Sequence, residues 1–373
     1  MKKQKIFIFG MDGATWDVMD PLIKQGKLPT FKKFLNKGRK AVLNTTNPPL
    51  TPCAWTSFFT GKNPGKHGLY DFYYINENKE LKLNSALSVR SEKDLWDFLS
   101  EKNMRTILFN VPMTYPPKKL NGIVISDAPN LKSDFVYPTD YKKLLLSKFP
   151  DYRVDEKTKY GEDKKNRRKF FEDVYQLDLL RSKVMNFLLE TEKWDFFMIH
   201  FTMLDRVQHW YWKFMDKSHP RYEQNECSNY IERTYQLMDK IFSEALQRIP
   251  KNSTILIMSD HGFGVYIKDI NVNMWLKKEG YLFFKEKNIG LLKRFFKKIN
   301  FSPNKIINLV FYFRFGFLLK SLSKKTIHKI TNQFTINYED IDYSKSKAYS
   351  YGHYGPIYIN KDLIKNKNEY EEL

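Results

Sequence analysis

Six residues that are far apart in the sequence have the chemistry of a two-metal phosphoryl-transfer site. They are Asp12, Thr51, Asp205, His209, Asp260 and His261. Five are carboxylates and imidazoles, the side chains that bind divalent cations, and all five follow apolar runs typical of strands. The sixth is a hydroxyl. Two cations about 4 Å apart commonly hold the attacking and leaving oxygens in phosphoryl transfer. The order and setting of these six residues therefore indicate that chemistry more than any one of them does.

Carboxylates stand at the ends of two predicted strands. The segment IFIFGMDG ends with Asp12 and a glycine, and STILIMSDHGFG ends with Asp260 and His261. In open α/β sheets, ligands bind beyond the carboxyl ends of the strands. Gly262 and Gly264 permit a tight turn in which adjacent side chains can face one metal or two. A plain Asp-Gly turn is the alternative for Asp12.

A third segment, LDRVQHW, places Asp205 and His209 four residues apart. In a helix this spacing puts both side chains on one face. An aspartate and a histidine in that arrangement are a suitable pair of ligands for one metal. The alternative is an aspartate in the first helical turn with an exposed histidine.

The run PPLTPCAWTSFFTG supplies the hydroxyl. Thr51 is predicted to be a helix N-cap, with Pro52 in the first turn and Gly61 ending the helix. The free N–H groups at a helix N-terminus bind phosphate anions. A cation beside the hydroxyl would lower its pKa and make it a nucleophile. The alternative is that Thr51 only caps the helix.

Apolar runs alternate with helical patterns along the chain. The runs predicted as strands are 5–10, 40–44, 105–111, 122–126, 194–201 and 254–259. Runs that are apolar at nearly every position suit a sheet covered on both faces. We therefore expect an α/β fold with a mostly parallel central sheet and helices on both faces. One catalytic domain is predicted over 1–373, with two inserted lid or cap segments: a polar one at 130–167 and a basic helical one at 285–335.

Composition limits the classes of protein that remain open. The chain has 373 residues, 42% of them hydrophobic, and its net charge of +21 would attract polyanions. The alternative explanation of that charge is that the richness in Lys and Asn reflects an AT-rich genome. The basic segment 285–335 is either an amphipathic surface for anionic lipid or an ordinary helical cap with extended lysines. Two cysteines argue against a disulfide framework or a cysteine metal site.

The chain shows no targeting or membrane-spanning pattern. The apolar run at 6–9 is too short for a signal-peptide core. No run of about 18 apolar residues occurs, so no membrane-spanning helix is expected. A cytoplasmic protein is predicted, with peripheral contact to an anionic membrane as an open alternative.

Four segments of the chain resemble the alkaline phosphatase superfamily, in particular its type I phosphodiesterase/nucleotide pyrophosphatase branch. They are FGMDG, LTPCAWTSFFTGKNPGKHG, DRVQH and SDHGFG. The resemblance covers 1–75 and 195–282. It implies an alkaline phosphatase-like fold, a phosphoesterase activity, Thr51 as the nucleophile and two divalent cations, zinc foremost, with manganese or magnesium among relatives. It assigns one cation to Asp12, Thr51, Asp260 and His261, and the other to Asp205 and His209. The substrate implied is a small phosphate ester or nucleotide-like molecule.

The chain departs from the family pattern near the substrate. Ala54 and Phe72 stand where nucleotide-cleaving members have asparagines, which leaves nucleotide specificity open. Trp55 and Phe72 are the candidates for substrate contact.

Three histidines outside the main motifs receive different interpretations. The resemblance implies a further histidine ligand of the second metal near the C-terminus, and His353 is the late candidate, with a loop histidine near the site as the alternative. In relatives of this type the last histidine lies further along the chain, so the chain is expected to be C-terminally truncated. His67 is predicted to shape its PGKHG loop, and His200 to be a satisfied core residue.

Other functions compete with the hydrolase. A phosphotransferase or mutase could use the same scaffold. A sulfatase is disfavoured because Cys53 lies two residues late for the motif and no arginine follows. A non-catalytic protein that binds anions or a membrane surface is the alternative from another class, and it would hold no stoichiometric metal. Specific nucleic-acid binding is not expected, since charge alone gives salt-dependent binding without sequence preference.

Overall fold

The computed structural model describes residues 4–89, 93–127, 130–158, 166–285 and 338–364. The chain divides into two compact units. The first comprises 1–72 and 84–268, and the second comprises 73–83 and 269–373. Apart from its first residue, the predicted basic insertion at 285–335 lies outside the described ranges, so its helical and membrane-binding character stays a prediction.

Ten strands are described. They are β1 Ile6–Met11, β2 Tyr73–Ile75, β3 Leu81–Leu83, β4 Thr106–Phe109, β5 Gly122–Ile125, β6 Val136–Tyr137, β7 Phe196–Phe201, β8 Thr254–Met258, β9 Ala348–Ser350 and β10 Ile357–Ile359. Six of them form the sheet of the first unit, in the order β6-β5-β4-β7-β1-β8. All neighbours in this sheet are parallel except β5 and β6. The prediction of a mostly parallel central sheet is confirmed.

Ten α-helices accompany these strands in the described residues. They are α1 Trp16–Lys24, α2 Pro29–Leu35, α3 Thr51–Thr60, α4 Pro64–His67, α5 Leu95–Glu101, α6 Tyr141–Lys148, α7 Arg167–Thr191, α8 Met203–Met215, α9 Tyr230–Leu246 and α10 Val272–Lys278. None of the helices within the described ranges is long and apolar enough to cross a membrane.

The central strand β1 contributes to two separate hydrophobic clusters, because successive side chains of a strand point to opposite faces. Phe7 and Phe9 belong to the larger cluster, which also contains the apolar side of α9. Ile8 belongs to the smaller cluster, with Trp55 of α3 and Trp96 of α5. The sheet is therefore covered by helices on both faces, as predicted.

Five of the six predicted strands exist, and the prediction for 40–44 is wrong. That segment has no regular structure, and Val42 and Leu43 are 79% and 67% exposed. Its three apolar residues are flanked by charged and polar ones, and none of the described strands pairs with them. The polar segment 130–167 contains β6 and α6 in its described part.

The second unit contains two small antiparallel hairpins. They are β2–β3 and β9–β10. Its own hydrophobic cluster includes Leu276, Leu282 and Ile341. His353 belongs to this unit, and its ring is stacked on that of Tyr73 at 6.2 Å between centroids.

A buried ion pair holds the start of α8, the helix that follows β7. Arg181 Nη1 lies 2.8 Å from Asp178 Oδ1, and both side chains are almost fully buried. Asp178 Oδ2 accepts a hydrogen bond from the N–H of Met203 at 3.1 Å, and Arg181 donates to Thr202 Oγ1 at 2.7 Å. The pair therefore fixes the point at which the chain turns from strand into helix.

Replacing Arg181 with methionine should lower the free energy of unfolding by about 3–5 kcal/mol, because Asp178 would remain buried without its partner. Urea denaturation measures this difference. Arg248→Met is the matched control, since its partner Glu190 is largely exposed, and it should cost less than about 1 kcal/mol. Equal losses in the two variants would contradict the assigned role.

Candidate active site

Two carboxylates meet at the carboxyl edge of the sheet. Strand β1 lies between β7 and β8, so the residues that follow β1 and β8 are neighbours. Asp12 comes directly after β1 and Asp260 comes two residues after β8, and both are buried. The predicted positions of these residues at adjacent strand ends agree with the structure.

The helix α3 brings Thr51 to this edge. The helix begins at Thr51 itself and its N-cap is Leu50, so the prediction that Thr51 is the N-cap is wrong by one residue. Its hydroxyl instead faces the site: Oγ1 lies 3.5 Å from Asp12 Oδ1 and 3.3 Å from His261 Nε2. The left-handed Gly61 ends the helix as predicted.

A buried histidine secures the other end of α3. The N–H of Leu69 donates to His67 Nδ1 at 3.2 Å, so the ring proton belongs on Nε2, which lies 2.9 Å from Ser57 Oγ. Burial lowers the pKa of His67. His67 therefore shapes its loop as predicted, and it also ties that loop to the helix that carries Thr51.

The ring of His261 is oriented by its own backbone neighbour. Nδ1 lies 2.9 Å from the carbonyl oxygen of Gly262 and donates to it, which turns Nε2 toward the site. Nε2 lies 3.4 Å from Asp260 Oδ2 and 3.5 Å from Asp12 Oδ1. Burial lowers the pKa of His261, but the Asp260 and Asp12 carboxylates outweigh burial and raise it. This nitrogen thus occupies a position where a positive charge is favoured.

The helix α8 brings the Asp205–His209 pair to the same place. Asp205 Oδ1 and His209 Nε2 are 3.3 Å apart, so the two residues share a helix face as predicted. Donor atoms of Asp12, Asp205 and His261 all lie within 4.8 Å of one another. The ring of Phe263 packs edge-on against that of His209, with 4.8 Å between centroids. The ligands at the strand ends, Asp12 and His261, and the Asp205–His209 pair of α8 therefore lie close together.

The residues of this cluster fit divalent cations. Asp205 Oδ1 and Asp260 Oδ2 are buried, and their imidazole contacts at 3.3 and 3.4 Å do not have the geometry of hydrogen bonds. Burial of carboxylate oxygens without well-formed hydrogen bonds is unfavourable unless a cation or a proton compensates them. Carboxylate oxygens with an imidazole nitrogen are ligands suited to zinc and manganese, and carboxylates alone suit magnesium. The donor set therefore suits a divalent cation, and the identity of the metal stays a prediction.

Burial also changes the protonation of the two sheet-end carboxylates. It raises the pKa of Asp12 to about 7, with repulsion from Asp205 as the second cause. It raises the pKa of Asp260 to about 7 as well, with repulsion from Asp12 second. In the metal-free protein these groups hold protons at a pH where they would be ionised in the unfolded chain.

The metal-free protein should therefore lose stability as the pH rises from 6.5 to 8. The folded state releases protons from Asp12 and Asp260 in this window, whereas the unfolded state has already lost them, so the slope of stability against pH is negative. Deprotonation of His261, whose pKa is raised, acts in the same direction. We expect Tm to fall by about 2–6 °C.

Calorimetry of chelator-treated protein measures this change. Burial lowers the pKa of His200 to about 4 and also lowers that of His67. Both act in the opposite direction, mainly below about pH 6.5, where the unfolded imidazoles are protonated, which is why the window starts there. Asp12→Asn removes one of the interacting carboxylates and should reduce the fall. A Tm that is equal or higher at pH 8 would contradict the prediction.

His200 is a neighbour of the site that the sequence alone did not reveal. It is fully buried in β7, and its Nε2 lies 3.3 Å from Asp12 Oδ2. Its lowered pKa makes the ring neutral, so this contact is not an ion pair. Neither ring nitrogen has a well-aligned hydrogen bond within the described part of the chain. The predicted core position of His200 is confirmed, and its contact with Asp12 adds a neighbour to the site.

The two predicted substrate contacts, Trp55 and Phe72, differ in their exposure to solvent. Trp55 is fully buried and packs edge-on against His200 at 5.0 Å between centroids. A fully buried indole has no surface for a substrate, so we assign Trp55 to the core. Phe72 is 37% exposed and stays a prediction. The role of His353 as a metal ligand also stays a prediction.

Comparisons with known proteins agree with the fold. A model of the type I phosphodiesterase / nucleotide pyrophosphatase family matches residues 6–362. Structures of phosphonoacetate hydrolase from Sinorhizobium meliloti 1021, in complex with phosphonoformate and with phosphonoacetate, are similar to 74% of this chain with a TM-score of 0.52 and 14% identity. No curated protein matches the sequence.

A murine ectonucleotide pyrophosphatase/phosphodiesterase 5, solved as an inactive variant in complex with AMP, is similar to 75% of this chain, with a TM-score of 0.45 and 13% identity. The matches cover 62% of the hydrolase and 63% of the murine protein, so this chain spans less than two thirds of either.

Proposed function

Because this chain belongs to the type I phosphodiesterase/nucleotide pyrophosphatase family and has an alkaline phosphatase-like fold, we propose that it is a metal-dependent phosphoesterase with Thr51 as its nucleophile. The observation that carries the proposal is the position of the Thr51 hydroxyl. It lies between a buried carboxylate and an imidazole, at the carboxyl edge of the sheet and the N-terminus of a helix. The helix N-terminus favours a phosphate anion, and the neighbouring carboxylate and imidazole favour an activated oxygen.

Two sets of residues would hold the cations. One set is Asp12 and His261, which contact the hydroxyl of Thr51, together with Asp260, which contacts His261. The other set is Asp205 with His209 on α8, beside the first. When bound, such cations lower the pKa of a hydroxyl nucleophile and stabilise charge on the leaving oxygen. Zinc is the first candidate, with manganese or magnesium as alternatives.

The hydroxyl proton of Thr51 has an acceptor in place. Oγ1 donates toward Asp12 Oδ1 at 3.5 Å, which leaves its lone pairs directed away from that carboxylate. Attack of Oγ1 on phosphorus forms one P–O bond as the hydroxyl proton passes to Asp12. The bond to the leaving oxygen breaks on the opposite side, and that oxygen departs with the electron pair and takes up a proton from water. Water then cleaves the phosphothreonine, and its protons pass to the released phosphate and to the threonine oxygen. Free backbone N–H groups in the first turn of α3 would attract the phosphate during both steps.

A small phosphate ester is the proposed substrate, and a nucleotide-like one is included in that class. The experiment is a screen of metal-loaded protein against p-nitrophenyl phosphate, bis-p-nitrophenyl phosphate and a nucleoside pyrophosphate. Hydrolysis of any of them, with stoichiometric metal, supports the proposal. Bound metal without hydrolysis contradicts it, and absence of both favours the non-catalytic alternative. The predicted contact with an anionic membrane falls on residues outside the described ranges and is no part of the proposal.

A further inference from the structure

A buried glutamine connects the helix of the Asp205–His209 pair to the end of β1. Gln208 lies on α8 and is fully buried. Its Nε2 donates to the carbonyl oxygen of Gly13 at 2.8 Å, and its Oε1 accepts from the Tyr235 hydroxyl at 3.3 Å. The Tyr235 oxygen in turn accepts from the N–H of Thr15 at 3.1 Å. A carbonyl oxygen can only accept and a backbone N–H can only donate, so the orientation of the glutamine amide is fixed.

Gly13 is the point at which three ligand-bearing segments meet. It follows Asp12 directly, and its N–H donates to Asp260 Oδ1 at 3.2 Å. Its φ of +68° is in the left-handed region, and an added Cβ would lie 3.2 Å from the Cα of Asp205 and 3.3 Å from Gln208 Nε2. Glycine therefore allows α8 to pass closely against this turn.

The close approach of α8 has an electrostatic cost. Asp12 and Asp205 belong to one cluster with donor atoms within 4.8 Å of each other, and two carboxylates this close repel whenever both are ionised. Gln208 lies three residues after Asp205 on α8, so its hydrogen bond to Gly13 holds this part of the helix against that repulsion. This hydrogen bond therefore maintains the distance between Asp205 on α8 and Asp12 at the end of β1 when no cation is present.

We propose that Gln208 is a positioning residue that sets the distance between the α8 ligands and the ligands at the strand ends. The inference rests on the proposed function, because this distance matters only if cations bind. Residues that orient the ligands of a metal typically change its affinity by 10–100-fold when they are replaced. Gln208 acts through Gly13 and through α8, without contact to the reacting atoms.

The test is a calorimetric titration of chelator-treated protein with Mn²⁺, together with the visible absorption spectrum of the Co²⁺-loaded protein. Gln208→Met should weaken the binding of at least one cation about 10–100-fold and shift the Co²⁺ bands. The matched control is Gln236→Met on α9, where the side chain is 3.5 Å from Glu232 Oε1. This control should bind Mn²⁺ as the wild type does and leave the spectrum unchanged.

A second variant tests the inference if Gln208→Met does not fold. Tyr235→Phe removes the hydroxyl that donates to Gln208 and leaves the amide in place. It should weaken Mn²⁺ binding by less than Gln208→Met does. The double variant should lose less than the product of the two single losses, because both act through one hydrogen-bonded chain.

Three results would overturn the inference. If the wild type binds cations and Gln208→Met binds them equally well with the same Co²⁺ spectrum, Gln208 has no positioning role, while the proposed function stands. If Gln208→Met does not fold, unchanged Mn²⁺ affinity in Tyr235→Phe overturns the inference. If the wild type binds no cation, the proposed function fails together with the inference.

Discussion

Replacement of Thr51 with alanine is expected to lower kcat for phosphate ester hydrolysis at least about 10⁴-fold, as loss of a nucleophile does in enzymes with covalent intermediates. The described contacts of Oγ1 are to Asp12 Oδ1 and His261 Nε2, so its removal leaves no backbone group without a partner. The fold should therefore survive. Turnover of bis-p-nitrophenyl phosphate measures the first effect and thermal unfolding measures the second.

Two variants provide controls for this result. Thr51→Ser keeps a hydroxyl at the same position and should retain measurable hydrolysis. Thr46→Ala removes a hydroxyl that donates to the carbonyl oxygen of Pro48 at 2.8 Å, in the segment before the same helix, and should leave kcat within a few-fold of the wild type. A Thr51→Ala protein that keeps a tenth or more of the wild-type kcat would show that another group attacks phosphorus.

The sequence was sufficient for the part of the site that depends on strand ends. Runs such as IFIFGM and TILIM are apolar at nearly every position, which is the pattern of strands in a covered parallel sheet. Once β1 and β8 were recognised, the rule that ligands gather at the carboxyl edge placed Asp12 and Asp260 together. The spacing of Asp205 and His209 likewise fixed their common helix face.

Features that depend on tertiary packing could not be read in this way. The segment 40–44 resembles a strand locally, but pairing with a sheet is a non-local event, and Val42 and Leu43 remain exposed. The prediction of Trp55 as a substrate contact did not account for the direction of its side chain. On α3 it points instead into the core, four residues from the helix start.

The polar residues that position the ligands were the hardest to anticipate. Gln208 and Arg181 are of types that lie mostly at the surface of helices, and nothing local distinguishes them. The partner of Gln208 is Gly13, 195 positions away, and Arg181 is tied to the residue that precedes α8. Their burial follows from the packing of α7 and α8 near the sheet edge, which a single sequence does not specify.

Removal of divalent cations is expected to reduce hydrolysis about 10³-fold or more, because several kcal/mol of charge stabilisation at the reacting phosphate would be lost. The structural reason lies in the cluster of Asp12, Asp205 and His261, whose buried carboxylates would otherwise repel the phosphate anion. Without cations, protons on Asp12 and His261 partly replace the missing charge, since both pKa values are raised. Those protons neutralise the cluster but supply no Lewis acid.

Dialysis against EDTA, followed by assay and by addition of Zn²⁺, Mn²⁺ or Mg²⁺, measures this effect. Activity should return with Zn²⁺ or Mn²⁺, and His209→Ala should need about 10–100-fold more cation for half-recovery, because it removes one ligand of the α8 pair. EDTA already saturated with zinc is the matched control and should not inhibit. Full activity in exhaustively chelated protein would mean that Thr51 is activated by Asp12 and His261 alone, and that the carboxylates gathered at this sheet edge work as proton acceptors rather than as cation ligands.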